Sequence, residues 1–326
     1  MAEILKVSGL CASVKKNGKT LKILNDVSFA IDEGEILGLA GESGCGKSIT
    51  ALSIPNLLPQ AVKITDGQIF FNDRDLVSLN EKELRGIRGK EISVIFQDVR
   101  QSLNPLIKVG FQITETLELD VIKKPKHEIK KQALELLVSL GFDEPEKIFD
   151  AYPHQLSGGM CQKIMTAIAV IHCPRLLLCD EPSSSLDDES QQRCLSLLLE
   201  MNRKSKMSLF VISHDLSIIR QFCSRFLIMY AGRIVEEGPS DTLFSPLHPY
   251  TRALVNAIPN KDKRYTNLEN IPGKVPSIED QLIGCPFAPR CSKAKDICMK
   301  DFPPLKVVGN RKVYCYFPIN EGEANG

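Results

Sequence analysis

The sequence predicts an α/β fold built on a parallel sheet and followed by a smaller region rich in loops. The run ILGLA at 36–40 is apolar throughout, which is typical of a strand buried on both faces of such a sheet. After residue 160, helical runs alternate with the apolar strands RLLLCD and SLFVIS, as in β–α–β units. Beyond residue 240, prolines become frequent and cysteines cluster. We therefore divide the chain into residues 1–240 and a C-terminal extension, residues 241–326.

The remaining elements follow from shorter patterns. Three strands, EILKVSGL, ILNDVSFAI and EILGLAG, are predicted in residues 3–40, the first two antiparallel and half-exposed. Residues 62–96 continue as strands and turns. From about 105 to 150 the pattern becomes helical, and in HEIKKQALELLVSLGF a 3.6-residue apolar spacing ends at Gly141. We expect a helical subdomain at about residues 100–160.

Composition excludes several classes of protein. The 326 residues are 43% hydrophobic and 25% charged, with a net charge of +1, which gives no reason to expect a nucleic-acid surface. The first residues lack the basic and apolar regions of a signal peptide, and no run approaches the eighteen apolar residues of a membrane span. We expect a cytosolic protein that does not itself cross a membrane.

The run GESGCGKS directly follows the ILGLA strand and precedes a helix-compatible run, SITALSIPNLL. It fits the phosphate-binding pattern G-x-x-x-x-G-K-[ST], and we call residues 41–48 the P-loop. Its glycines let backbone N–H groups point at phosphates, Lys47 supplies a positive charge, and Ser48 offers a hydroxyl to Mg²⁺. A glycine-rich turn without a ligand is the alternative. The predicted nucleotide contacts here are Gly41, Ser43, Gly44, Cys45, Gly46, Lys47, Ser48 and Ile49.

Two further motifs point to nucleotide hydrolysis. RLLLCDEP is an apolar strand that ends in Asp180 and Glu181; the first carboxylate suits a Mg²⁺ contact and the second suits a general base for water. HQLSGGMCQK places Ser157, Gly158 and Gly159 just before a helical run, which is a second anion-binding helix start. A simple N-capped helix is the alternative. One nucleotide does not need two such sites, so the second would serve a nucleotide held by another subunit.

With VIFQD, SSLD and VISHD, these motifs occur in the order found in ABC-type ATPases, which residues 1–240 resemble. The resemblance implies a RecA-like core with an antiparallel β subdomain and a helical subdomain, ATP and Mg²⁺ as ligands, and ATP hydrolysis. It makes Gln97 a Mg²⁺ sensor that contacts the transmembrane partner, Asp187 the D-loop residue, and His214 the switch histidine at the γ-phosphate. One departure is Val14, which stands where the family usually stacks an aromatic side chain on adenine.

Two other stretches, SLNP at 102–105 and SPLHPYTRALVNAIP at 245–259, resemble the ATP-binding subunits of oligopeptide and dipeptide importers. That group includes nickel and metallophore importers, which stay an alternative. The resemblance implies work at the cytoplasmic face of the membrane with a related ATPase subunit as heterodimer partner, two permeases and an extracytoplasmic binding protein. Soluble ABC ATPases of translation or DNA repair are disfavoured, because the chain has one cassette and only 59 positions separate Gln97 from Leu156.

Four cysteines of the extension, Cys285, Cys291, Cys298 and Cys315, have the spacing C-x5-C-x6-C-x16-C. Zinc sites usually pair their ligands as C-x2–4-C, which is absent here. Four thiolates from proline-rich loop suit a [4Fe–4S] cluster, and some peptide-importer ATPases are similar in this respect. A [4Fe–4S] cluster is our prediction, with Zn²⁺ or no metal as alternatives. The seven cysteines scattered over residues 1–223 are expected to be free thiols.

Overall fold

The computed structural model describes residues 2–96, 102–118, 125–182, 186–258, 271–280 and 283–319. The chain forms two compact units, and each consists of several separate stretches of sequence. The first unit consists of Met1–Ile4, Asp32–Glu35 and Ser78–Ile212, and the second of Leu5–Ile31, Ile36–Val77 and Ser213–Gly326.

An antiparallel sheet of four strands belongs to the second unit, apart from the first residues of β1 and the last residue of β2. Its strands are β1 (Glu3–Lys16), β2 (Lys19–Asp32), β4 (Val62–Phe71) and β5 (Arg74–Asp75), in the order β2-β1-β4-β5. β1 and β2 are joined by Asn17 and Gly18, whose φ angles of 51° and 74° are those of a type I′ hairpin turn. The two strands predicted at the start of the chain are confirmed and are longer than predicted.

A second group of strands in this unit carries the P-loop and the extension. β3 (Ile36–Ala40) is buried throughout, as predicted, and pairs in parallel with β9 (Arg225–Tyr230). β10 (Arg233–Pro239) pairs antiparallel with β9 and also with β12 (Arg311–Tyr314), which forms a hairpin with β11 (Leu305–Val308). The extension is therefore not only loop: its alternating LKVV and RKVY segments continue the sheet beyond β10.

The first unit contains a parallel sheet in the order β8-β7-β6, formed by Ser208–Ile212, Leu176–Asp180 and Ile92–Ile95. It confirms the two strands predicted after residue 160. One helix, α2 (Glu81–Ile87), lies where we predicted only strands and turns. Asn80 accepts hydrogen bonds from the N–H groups of Lys82 and Glu83, and Glu83 accepts one from Asn80 N–H. This capping box, N-x-x-E, is a helix-start signal that the sequence reading overlooked.

The other helices of the first unit lie in the stretch predicted to be helical, from about 105 to 150, and in the alternation of helices and strands predicted after residue 160. They are α3 (Val109–Glu118), α4 (Lys126–Ser139), α5 (Pro145–Asp150), α6 (Gly158–Val170) and α7 (Asp188–Ser205), and α3 packs against α4, α5 and α6. Gly141, with φ +79°, follows the end of α4 as predicted. Among the residues that the structure describes, no helix has the length and apolar character needed to cross a membrane.

The helices of the second unit are α1 (Lys47–Ser53), α8 (Leu216–Phe222), α9 (Pro249–Asn256) and α10 (Asp296–Lys300). α1 is shorter than its predicted run because Pro55 follows it and has no backbone N–H to continue the helical hydrogen bonds. The start of α9 is fixed in the core: Glu236 of β10 accepts the N–H groups of Leu247 and His248 at 2.9 and 2.8 Å. Burial lowers the pKa of His248 to about 3, so its neutral ring accepts the N–H of Tyr250.

Candidate functional site

The P-loop connects β3 to α1, and its shape requires glycine at two points. Gly41 has φ +156°, and a Cβ there would meet the carbonyl oxygen of Met229. Gly46 has φ +109°, and a Cβ there would lie 2.8 Å from the Leu24 side chain. Side chains at these positions would be both strained and obstructed. The glycines of the motif are thus explained by backbone geometry as well as by access to phosphate.

Lys47 lies inside the loop and is 9% exposed. Its ammonium group donates to the carbonyl oxygens of Gly41 and Glu42 at 2.8 and 2.9 Å. These bonds hold a positive charge against the backbone of the loop, and Ser48 follows Lys47 in the chain. Cys45 is only 1% exposed, and burial raises the pKa of its thiol. We conclude that Lys47 and Ser48 have the chemistry to hold a triphosphate and Mg²⁺, whereas the Cys45 side chain packs in the core.

The two carboxylates of the first unit occupy different environments at the end of β7. Asp180 is 9% exposed, at the last position of the strand. Glu181 has left-handed backbone, φ +53°, and its N–H donates to the Ile212 carbonyl at 3.0 Å. A non-glycine residue in this region costs roughly 1–2 kcal/mol, and such strain is common at functional sites. The sequence predicted the pair but gave no sign of the turn that sets Glu181 apart.

The Ser-Gly-Gly motif begins α6 as predicted. The exposed Ser157 is its N-cap and accepts the N–H of Met160 at 3.2 Å, and Gly158 and Gly159 form the first turn. One turn further along this helix, the buried Gln162 donates its amide to the Pro182 carbonyl at 2.9 Å. Because Pro182 directly follows Glu181, Gln162 connects α6 to the turn that contains Glu181. Sequence reasoning missed Gln162.

Of three more predicted site residues, the structure describes two, Asp187 and His214. Asp187 is the N-cap of α7; the hydrogen bond from the Ser190 backbone N–H lowers the pKa of the Asp187 carboxyl. His214 is exposed in the turn between β8 and α8, in the second unit. Gln97 lies outside the described residues. The roles predicted for all three stay predictions.

The C-terminal extension contacts the P-loop through Arg290, which no pattern in the sequence indicated. The Arg290 side chain is 5% exposed, and its guanidinium makes a bidentate ion pair with the Glu42 carboxylate at 2.8 and 3.1 Å. It also donates to the Tyr230 hydroxyl at 3.1 Å and to the carbonyl oxygens of Ile271 and Pro272. Burial disfavours its charge, but the hydrogen bonds to Glu42 and Tyr230 outweigh that and raise the pKa of Arg290.

Aromatic side chains also pack at the junction between the extension and the P-loop. The Tyr250 hydroxyl accepts the N–H of Glu42 at 2.8 Å, so α9 also holds the P-loop backbone. Tyr230, Tyr250 and Phe287 pack together with ring centroids 4.5–5.3 Å apart. Strand β9 therefore contacts two parts of the extension next to the P-loop, helix α9 and the segment around Phe287.

The four cysteines of the extension line one cavity, together with apolar side chains that include Phe287 and Phe317. Burial, with a contribution from neighbouring thiols, raises the pKa of Cys285 and of Cys315 to about 11, and burial also raises that of Cys291. Within the described ranges, however, no group of three or more His, Cys, Asp or Glu side chains has the arrangement of a metal site. The predicted metal-binding character of the extension is therefore not supported by ligand geometry.

The Arg290–Glu42 pair can be tested with a double-mutant cycle of Arg290→Gln and Glu42→Gln. We expect a coupling free energy of about 2–3 kcal/mol in urea unfolding without nucleotide, because each single change leaves a charge with little access to water. The exposed pair Lys16–Glu279, at 2.9 Å, is a matched control for which we expect less than about 1 kcal/mol. Equal coupling for the two pairs would contradict the assignment.

Comparison with known proteins agrees with this geometry. Residues 24–184 match the model of the ABC transporter family, and residues 235–298 match that of the oligopeptide/dipeptide transporter C-terminal region. The chain is 40% identical to a dipeptide transport ATP-binding protein of Haemophilus influenzae, over 98% of this chain and 96% of that protein. It is 41% identical to an oligopeptide transport ATP-binding protein of Bacillus subtilis, over 99% of each.

Solved structures extend the comparison to the fold. A dimeric bacterial ABC transporter cassette is 27% identical, with a TM-score of 0.67, and covers 72% of this chain and 98% of its own. A dimeric ATP-binding cassette in a post-hydrolysis state, with ADP and Pi, is 26% identical, with a TM-score of 0.66 and the same coverage. The ABC-type P-loop ATPase fold predicted from the sequence is confirmed. The chain belongs to the ATP-binding proteins of the ABC transporter family.

Proposed function

We propose that this protein is the ATP-hydrolysing subunit that powers import of peptides across the cytoplasmic membrane through an ABC transporter. The observation that carries the proposal is the similarity to dipeptide and oligopeptide transport ATP-binding proteins, which extends over nearly the whole chain. The match of residues 235–298 to the oligopeptide/dipeptide transporter C-terminal region supports the choice of peptides over other cargo.

Each predicted site residue has a proposed part in ATP hydrolysis. The P-loop binds the phosphates through Lys47 and its backbone N–H groups. Ser48, Asp180 and Gln97 are the proposed Mg²⁺ contacts, and the cation would neutralise charge on the phosphates. Glu181 accepts a proton from the attacking water, and His214 donates to the γ-phosphate. The remaining P-loop contacts are those predicted from the sequence: Gly41, Ser43, Gly44, Cys45, Gly46 and Ile49.

Ser157, Gly158, Gly159 and Asp187 serve the nucleotide of a partner ATPase in this proposal. Ser157 is exposed at the start of α6, which leaves it accessible to another subunit. Both solved cassettes described above are dimers. The proposed partner is a related ATPase, so that the working assembly is a heterodimer. ATP would bridge the P-loop of one subunit and the Ser-Gly-Gly motif of the other, and hydrolysis would loosen the dimer.

The proposed membrane partners are two permeases, which would hold the protein at the cytoplasmic face of the membrane. The helical part of the first unit presents exposed apolar side chains: Leu106 is 84% exposed and Phe111, on α3, is 48% exposed. Exposed apolar groups of this kind are suited to burial in a protein interface. An extracytoplasmic binding protein would deliver the peptide to the permeases.

We also propose a [4Fe–4S] cluster as the ligand of Cys285, Cys291, Cys298 and Cys315. In support, all four side chains line one cavity with an apolar surround, and four soft thiolates are the donor set that such clusters use. The proposed role is structural: a cluster would tie residues 285–298 to the strand that ends at Tyr314. Zn²⁺ is the competing metal.

Glu181→Gln tests the hydrolysis proposal. We expect the assembled transporter to retain ATP binding, to accumulate an ATP-bound closed ATPase dimer, and to lose turnover by about 10²-fold or more, because the amide cannot accept the proton of water. Phosphate release and size-exclusion chromatography measure the two effects. Glu189→Gln, on the exposed surface of α7, is the control and leaves both unchanged. Undiminished turnover in Glu181→Gln would refute the role.

Anaerobic purification with iron and acid-labile sulfide assays tests the cluster. We expect about four iron and four sulfide per chain, and a large loss of both in Cys291→Ser. Cys173→Ser is the control, because Cys173 is an exposed cysteine outside the extension. Colourless protein that contains stoichiometric zinc would contradict the iron–sulfur proposal.

A further inference from the structure

A cavity of about 380 Å³ opens beside Gly44 of the P-loop. Its walls come from β2, from the β9–β10 turn and, in the extension, from residues 276–278, 283, 284 and 286, all within the second unit. This volume falls in the range, roughly 300–1,000 Å³, that is typical of small-molecule sites. Gly44 has φ +78° and no atom within 4 Å of the place where a Cβ would be. The backbone of the loop at Gly44 is therefore unobstructed where it borders the cavity.

The lining has the chemistry of a site for a flat heterocycle. Ile23 of β2 and Ile278 and Ile283 of the extension supply apolar surface. Ile278 is 38% exposed and Ile283 is 82% exposed, so both have apolar area to cover. Asn25 and Ser277 supply hydrogen-bonding groups. A nucleobase has apolar faces and a polar edge, which matches this combination.

Two cations also line the cavity, Lys22 and Arg233. They are compatible with a ligand that carries phosphate and disfavour a purely apolar occupant. None of the described residues that line the cavity is aromatic, and the chain has no Trp. The described lining therefore offers aliphatic side chains, rather than aromatic ones, to pack on a base.

We propose that the C-terminal extension forms one wall of the nucleotide site, with Ile278 and Ile283 packed on the adenine of the ATP whose phosphates the P-loop binds. This proposal rests on the ATP binding proposed above. The extension is well placed for it, because Arg290 ties residues 271 and 272 to Glu42 of the same loop. The backbone beside Ile283 is anchored as well, because the N–H of Cys285 donates to the Cys298 carbonyl at 2.8 Å.

Calorimetric titration of the full chain separates the base from the phosphates. The probes are the non-hydrolysable ATP analogue adenylyl-imidodiphosphate and tripolyphosphate, each with Mg²⁺. In the double variant Ile278→Ser/Ile283→Ser we expect the Kd of the ATP analogue to rise about tenfold, and that of tripolyphosphate to stay within about twofold of wild type. Both positions are on the surface, so thermal unfolding should match wild type.

The matched control is Ile297→Ser/Val307→Ser, which removes two exposed apolar side chains of the extension, 43% and 66% exposed, that do not line the cavity. It should change neither Kd. The proposal is overturned if the first variant binds the ATP analogue within twofold of wild type, or if it loses analogue and tripolyphosphate equally. A wild-type chain that binds neither probe would overturn the ATP-binding proposal itself.

Discussion

The ion pair between Arg290 and Glu42 is the interaction on which the organisation of the second unit depends. The guanidinium comes from the extension and the carboxylate from the P-loop, 248 positions away in sequence. An Arg–carboxylate fork fixes orientation as well as distance, and here it is mostly shielded from water. A shift of the extension would leave a charge of the P-loop without its partner, so the two segments are constrained to move together.

The rest of the unit reinforces this constraint. Tyr250 accepts the Glu42 N–H, and the same helix start is held by the buried Glu236 of β10. The hairpin of β11 and β12 pairs with β10, and β10 pairs with β9, so the extension is part of the same sheet as β9. A ligand of the four cysteines would act on this junction directly, because Arg290 and Cys291 are adjacent in sequence. The extension thus contacts the P-loop directly, as a part of the nucleotide site would.

Much of the fold could be predicted because its signals are local. The buried strand ILGLA, the P-loop, the Ser-Gly-Gly helix start and the end of a helix at Gly141 each depend on a few neighbouring residues. The capping box at Asn80 was local as well and was overlooked. Other features depend on contacts that only the folded chain creates. The left-handed backbone of Glu181, the bond from Gln162 to Pro182 and the pairing of Arg290 with Glu42 have no signature in spacing or composition.

Amide hydrogen exchange tests most directly whether the extension and the P-loop form one nucleotide site. Exchange in the full chain would be compared with and without the non-hydrolysable ATP analogue, over residues 41–48 of the P-loop and over residues 271–280 and 283–286 of the extension. The account predicts that the analogue slows exchange in both regions, because the extension covers the base while the P-loop binds the phosphates. Slower exchange in the P-loop with no change in the extension would contradict it.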